Sequence, residues 1–182
     1  MTMESGITTQ EHVVLVNEQD EVLGTMEKLE AHRTGALHRA FSVFLFDDEG
    51  RLLLQQRAAS KYHSALLWTN TCCSHPRLDE SLEMAAKRRL AEEMGMDADL
   101  EHRFSFIYNA TFENGLQEHE LDHVFFGRAS GPPQPDPSEV NAWRFVGIDV
   151  LRTEMERSPA QFTAWLHHCW PMLMAALVAE RA

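Results

Sequence analysis

SHPRLDESLEMAAKRRLAEEMGM, residues 74–96, reads as an extended entry, a turn and a single helix. From Glu80 to Met94 strong helix formers dominate, with Leu82, Met84, Ala85, Ala86 and Leu90 available to a buried side and Gly95 placed as the C-terminal stop. Arg88 with Glu92, and Arg89 with Glu93, are spaced to share a face, and the commonest fate of such a charge run is a solvated, salt-bridged surface. Just before the helix, CCSHP (residues 72–76) spends two of the chain's three cysteines side by side. If this stretch is extended, alternation sends Cys73 and His75 to one face and Cys72 to the other. Taken alone, Cys73 reads as a small buried hydrophobe, the usual role of a free cysteine.

Outward from the helix the pattern changes to strands. VVLVN and EVLGTME (13–17, 21–27) flank the turn-rich EQD, and AFSVFLF and RLLLQQR (40–46, 51–57) flank DDEG. FSFIYNATF and ELDHVFFG (104–112, 120–127) are joined through the turn signal Asn114–Gly115. A two-residue hairpin there would pair Asn109 with Glu120 and leave Tyr108 on the opposite face, so only a bulge or wider turn brings Tyr108 to the side of Glu120. A proline-rich loop (129–140) precedes NAWRFVGI (141–148), a last strand, and Ser158–Pro159 has the form of an N-cap opening a helix that Pro171 should kink or divide. The class is mixed α and β, a central sheet with helices packed on it, most economically one domain over residues 1–182.

The chain has 182 residues, 44% of them hydrophobic, and a formal charge of −12. That field repels polyanions, and no Lys/Arg cluster opposes it, which argues against a nucleic-acid partner. The N-terminus lacks the basic-then-apolar pattern of a signal peptide, and the longest mostly apolar stretch, WPMLMAALVA, is too short to span a bilayer. With sparse, odd-numbered cysteines, these features predict a cytoplasmic protein without a membrane partner.

Glu118 and Glu120 share a strand face, with His119 opposite, and two such carboxylates repel unless solvated, sharing a proton or holding a cation. A solvated edge strand is the plainer account. Each of His32 and His38 by itself reads as a surface or satisfied histidine rather than a ligand. Together, three imidazoles and two carboxylates suit a borderline divalent metal, although spacing alone does not assemble them.

Residues 74–96 also resemble a Nudix box, G-x5-E-x7-R-E-U-x-E-E-x-G-U with U apolar: Glu80, Arg88, Leu90, Glu92, Glu93, Gly95 and Met96 fall in register. Ser74 replaces the glycine, and Arg89 replaces a glutamate. Combined with EKLEAH…LHRAFSVFLF, LLLQQRA…SK, LWTN…C.HP and E.E after an aromatic-rich strand, the chain resembles type I isopentenyl-diphosphate isomerases from about residue 11 to 170. The resemblance implies a Nudix-like α/β (α+β) fold, with a central mixed sheet flanked by helices, an added N-terminal segment and C-terminal helices. It implies a reversible 1,3-proton shift between isopentenyl and dimethylallyl diphosphate.

By position the resemblance assigns His32, His38, His75, Glu118 and Glu120 to a protein-bound divalent metal (manganese, zinc or magnesium). Cys73 and Glu120 are assigned to proton transfer, and Glu93 with the Cys73 carbonyl to a magnesium that arrives with the diphosphate. Lys28, Arg57, Lys61 and Arg89 match phosphate-contacting positions, and Tyr108 and Trp165 match aromatic active-site positions. A mobile segment over residues 1–38 would close the pocket, and the protein would act as a monomer or weak homodimer on a small prenyl diphosphate. Two other readings stay open: a Nudix-type diphosphate hydrolase using Glu92 and Glu93, and a non-catalytic metal- or diphosphate-binding protein.

Overall fold

The computed structural model describes residues 11–179. β1 (His12–Val16) and β2 (Val22–Glu27) form a hairpin that leads into α1 (Lys28–Thr34), β3 (His38–Phe46) and β4 (Leu52–Arg57). Two short strands, β5 (Trp68–Thr69) and β6 (Cys72–Ser74), precede α2 (Leu82–Met94). The long hairpin β7 (Leu100–Thr111) and β8 (Gln117–Arg128) follows, then β9 (Val140–Val146), α3 (Ile148–Arg157) and α4 (Ala164–Ala179). All nine strands join one sheet. β3 lies near its centre, antiparallel to β1, β4 and β6 and parallel to β8, so the sheet is mixed as expected.

Alternation along β3 builds both halves of the core. Phe41, Val43 and Leu45 pack with Cys72 and the buried side of α2, whereas Phe44 and Phe46 pack with Leu52, Leu54 and the α3/α4 layer. Because both faces are covered, this strand is an almost unbroken apolar run, as a parallel-paired interior strand requires.

α2 is capped at both ends, at Gly95 as its sequence indicates. Ser81 accepts from the Met84 amide, and Gly95 sits in the left-handed region at φ 61° with its amide bonded to the Ala91 carbonyl. Its helical residues begin at Leu82 rather than Glu80, which instead accepts from the Arg77 amide. The proline-rich loop docks on the helix end: the Gln134 amide donates to Met94 O (2.8 Å) and the Asp136 amide to Glu93 O (2.9 Å). Carbonyls that the helix leaves open are thereby satisfied.

Several expected elements differ. The strand over 141–148 stops at Val146, and Ile148 opens α3, whose buried Leu151 and Met155 continue the i, i+3, i+7 spacing from Ile148. Ser158–Pro159 opens only a single 3-10 turn; α4 starts at Ala164, and Pro171 lies within it without dividing it. The lost backbone bond, about 3 kcal/mol in an open helix, is offset by burial of Trp165, Leu166, Cys169 and Leu173. α1 was not expected as a helix. Glu27 caps it, its carboxylate accepting from the amides of Leu29 and Glu30. Of the segment expected to be mobile, residues 1–10 lie outside the described residues, and 11–38 supply β1, β2, α1 and the start of β3.

Gly95→Ala should lower the urea midpoint by the equivalent of about 1–3 kcal/mol. A Cβ there would meet the Gln134 carbonyl oxygen on a left-handed backbone. A wild-type midpoint would contradict docking of the loop on this helix end.

Candidate active site and metal centre

The β3–β8 ladder places His38 opposite Glu120. His32, on α1, is carried over the same strand, and the His119 ring on β8's other face bonds Gly35 O at 2.9 Å, tying the end of α1 to β8. β6 runs antiparallel to β3 and orients the CCSHP stretch as alternation requires: Cys72 enters the α2-side core, while Cys73 and His75 face the pocket. One potential ligand atom from each of His32, His38, His75, Glu118 and Glu120 then lies within 4.8 Å of all the others.

The donor set fits a divalent cation. The Nδ1–H groups of His32 and His38 donate to the carbonyls of Lys28 (2.5 Å) and Ala36 (2.8 Å), so that each ring turns its Nε2 inward, as a lone pair whenever that nitrogen carries no proton. His32 Nε2 lies 3.1 Å from Glu118 Oε2 and His38 Nε2 3.4 Å from Glu120 Oε1. His32 Nε2, His38 Nε2 and Glu118 Oε2 are buried without a hydrogen-bond partner. Lone pairs converging on carboxylates repel in a buried site unless positive charge lies between them.

Tyr108 reaches this face because the β7–β8 turn is wider than a two-residue hairpin. Phe112 N–H bonds Leu116 O, leaving residues 113–115 as the loop, with Gly115 at φ 80°. Tyr108 consequently pairs with Glu120, and its hydroxyl donates to Glu120 Oε2 at 2.6 Å. His75 Nε2 meets Glu120 Oε1 at 2.8 Å. Burial opposes ionisation of Glu120, but the hydrogen bonds and charge that His38 and His75 supply when their Nε2 atoms carry protons outweigh it and hold the carboxyl well below the usual range. Burial pushes the Cys73 thiol up, only partly opposed by Arg57. A thiol held toward its protonated form and a carboxyl held toward its ionised form thus border one pocket.

The four expected phosphate-contacting cations line that pocket too. Each carries a local partner: Lys28 meets Glu11 at 2.8 Å, Lys61 meets Glu139, and Arg89 meets Glu93 (2.6 Å) and Glu92 (2.7 Å). The Arg57 guanidinium lies 5.1 Å from the Trp165 ring centroid. Trp165 is buried and its indole N–H has no partner. Glu93 also accepts from Gln55 Nε2 at 2.9 Å. The sequence reading missed Gln55, Tyr62, His63 and Glu139, which line the pocket with no motif spacing to betray them; only their polarity beside apolar strands was visible.

Residues 36–166 match the NUDIX domain family. The chain is 49% identical over 172 residues to isopentenyl-diphosphate Delta-isomerase 1 of Aromatoleum aromaticum, covering 94% of this chain and 97% of that protein. It is 51% identical over 155 residues to the isopentenyl-diphosphate Delta-isomerase of Serratia proteamaculans, covering 85% and 87%. The chain belongs to the isopentenyl-diphosphate Delta-isomerase family of NUDIX-domain proteins. Solved structures share the fold: a Deinococcus radiodurans protein superposes with a TM-score of 0.68 at 22% identity, covering 81% of this chain and 90% of that one. A MutT protein from Methanosarcina mazei gives 0.57 at 17% identity, covering 64% and 81%.

Against the ordinary Nudix pattern, this isomerase-family box carries its altered charge at Arg89, which is drawn in among Glu92, Glu93 and, at 3.5 Å, Glu139. Glu80 has a structural part, accepting from Arg88 through both oxygens at 2.7 and 2.8 Å. That hydrogen bonding holds the Glu80 carboxyl below its ordinary 4.5. A depressed folded pKa gives stability that is present above the unfolded value and lost as pH falls through the folded one. Glu80→Gln should therefore destabilise the protein at pH 7 by about 1 kcal/mol, and the gap from wild type should narrow as pH falls below about 4.5. Chemical denaturation at several pH values measures this; a pH-independent gap would contradict the ion pair.

Proposed function

We propose that this chain interconverts isopentenyl diphosphate and dimethylallyl diphosphate by protonation and deprotonation, with Cys73 and Glu120 as the proton-transfer pair. The observation that carries this reading is the placement of both groups on one pocket, beside four basic side chains, in a chain about half identical to named isomerases. One group delivers a proton to the terminal alkene carbon, C4. Positive charge develops at the tertiary carbon C3, and the other group removes a proton from C2, so the double bond moves and no atom is gained or lost. Tyr108 orients Glu120 through its hydroxyl, and Trp165 offers its π-face to the developing cation.

A divalent metal, in our reading manganese, zinc or magnesium, would be held by His32, His38, His75, Glu118 and Glu120 and would supply charge that sets the orientation and proton affinity of Glu120. Glu93 and the Cys73 carbonyl would hold a magnesium accompanying the diphosphate, with Lys28, Arg57, Lys61 and Arg89 neutralising the phosphate oxygens. This local assembly of cations allows an acidic protein, net −12, to take a small anion while repelling polyanions. We assign the chain a cytoplasmic setting; among the described residues no helix is long and apolar enough to cross a membrane. Diphosphate hydrolysis is disfavoured because Arg89 puts positive charge where a hydrolase box supplies a carboxylate to its metals.

Water must be kept from the cation, which it would trap as an alcohol. We further propose that the segment before His38, which brings Lys28 to the pocket and pairs it with Glu11, closes over bound substrate. A substrate analogue should then protect residues 1–38 from proteolysis, and unchanged cleavage would refute closure. In deuterated water with isopentenyl diphosphate and magnesium, proton NMR should show dimethylallyl signals with deuterium entering carbon-bound positions. Release of phosphate would instead establish hydrolysis. Cys73→Ala should cut turnover by roughly 10²–10⁴-fold with diphosphate binding retained; full turnover would exclude the thiol from proton transfer.

A further inference from the structure

His63 lies outside the five-residue cluster, in the connection between β4 and β5, yet its Nε2 is 2.9 Å from Glu118 Oε1. It is 8% exposed. Its ring stacks on Phe112 with centroids 4.6 Å apart and planes at 9°, and meets Trp165 edge-on at 6.0 Å. Ser64 Oγ stands 3.2 Å from Nδ1. With that hydroxyl donating to Nδ1, the proton resides on Nε2 and is donated to Glu118. One carboxylate oxygen is thereby occupied, and the other, Oε2, is left directed toward His32.

The backbone that presents this ring is itself held. Arg57 donates from Nε to Ser64 O and from Nη2 to His63 O, both at 3.2 Å, and Asn114 Nδ2 donates to Tyr62 O at 3.1 Å. Ser64 and Leu66 follow with φ of 53° and 61°, conformations that side-chain-bearing residues seldom adopt without compensation from their surroundings. The connection is thus fixed where an unconstrained loop would relax, and the group it delivers is an imidazole N–H to a buried carboxylate.

We propose that His63 is a positioning residue of the metal centre: it clamps Glu118 so that Oε2 alone faces the ion, and so raises the affinity of the site. This rests on the reading of the five-residue cluster as a divalent-metal site. Outer hydrogen bonds of this kind orient ligands and typically contribute 10–100-fold in metal affinity. The ring and the donor can be separated, because phenylalanine keeps the stack on Phe112 without the N–H, whereas glutamine offers an amide N–H at similar reach without the ring.

The test is competition of Zn²⁺ between a chromogenic chelator and the full-length protein, without substrate, for wild type, His63→Phe, His63→Gln and Glu118→Gln. His63→Phe should bind Zn²⁺ roughly 10–100-fold more weakly, His63→Gln should recover most of that loss, and Glu118→Gln should be at least as weak as His63→Phe. Wild-type affinity in His63→Phe, or equal loss in both His63 variants, would overturn the clamp. Unchanged affinity in Glu118→Gln would instead refute the metal centre itself, and the role of His63 with it.

Discussion

The parallel pairing of β3 with β8 is the constraint on which the site depends. Its register puts His38 beside Glu120 at the start of both strands, and nine consecutive residue pairs carry that alignment to Phe46 and Arg128. A slip of one residue would exchange the faces of β8 and send both glutamates to the side of His119. Other elements are referenced to these two strands. β6 hangs Cys73 and His75 from β3, β7 brings Tyr108 to Glu120 through its three-residue turn, and α1 is tied to β8 through His119 and Gly35.

The resulting pocket concentrates opposing charges under little solvent. Buried carboxylates and imidazoles would be costly if left to face one another, and the unpartnered Nε2 atoms of His32 and His38 mark where a cation would relieve that cost. The basic side chains follow a related logic at the rim, since Lys61 and Arg89 share Glu139 and Lys28 pairs with Glu11. Paired cations stay fixed in place rather than sampling solvent, so their charges remain directed at the pocket. Arg89 links the two halves, because its helix also presents Glu93.

Much was legible from residue patterns. The helix stop Gly95, the strands on either side of DDEG and the opposite facing of Cys72 and Cys73 all follow from local sterics and period-2 or period-3.6 spacing. Where patterns were short or competed, they misled. α1 has only seven residues and is stabilised by tertiary contact, α3 begins one glycine after a strand of similar composition, and Pro171 is carried by the burial around it. Tyr108 turned on a single residue of loop length, which the Asn–Gly signal does not encode.

By itself the sequence determined the class, the altered Nudix helix and the acid field, because these depend on composition and near-neighbour spacing. It also determined the family, through ordered motifs spread along most of the chain. Tertiary structure alone decided that His32, His38, His75, Glu118 and Glu120 share one point, that Tyr108 reaches Glu120, and that His63, Gln55 and Glu139 join them. The physical reason is distance along the chain. Groups as far apart as His32 and Glu118 meet only through strand register and loop length, and a change of one residue in either reverses the face on which a side chain lies.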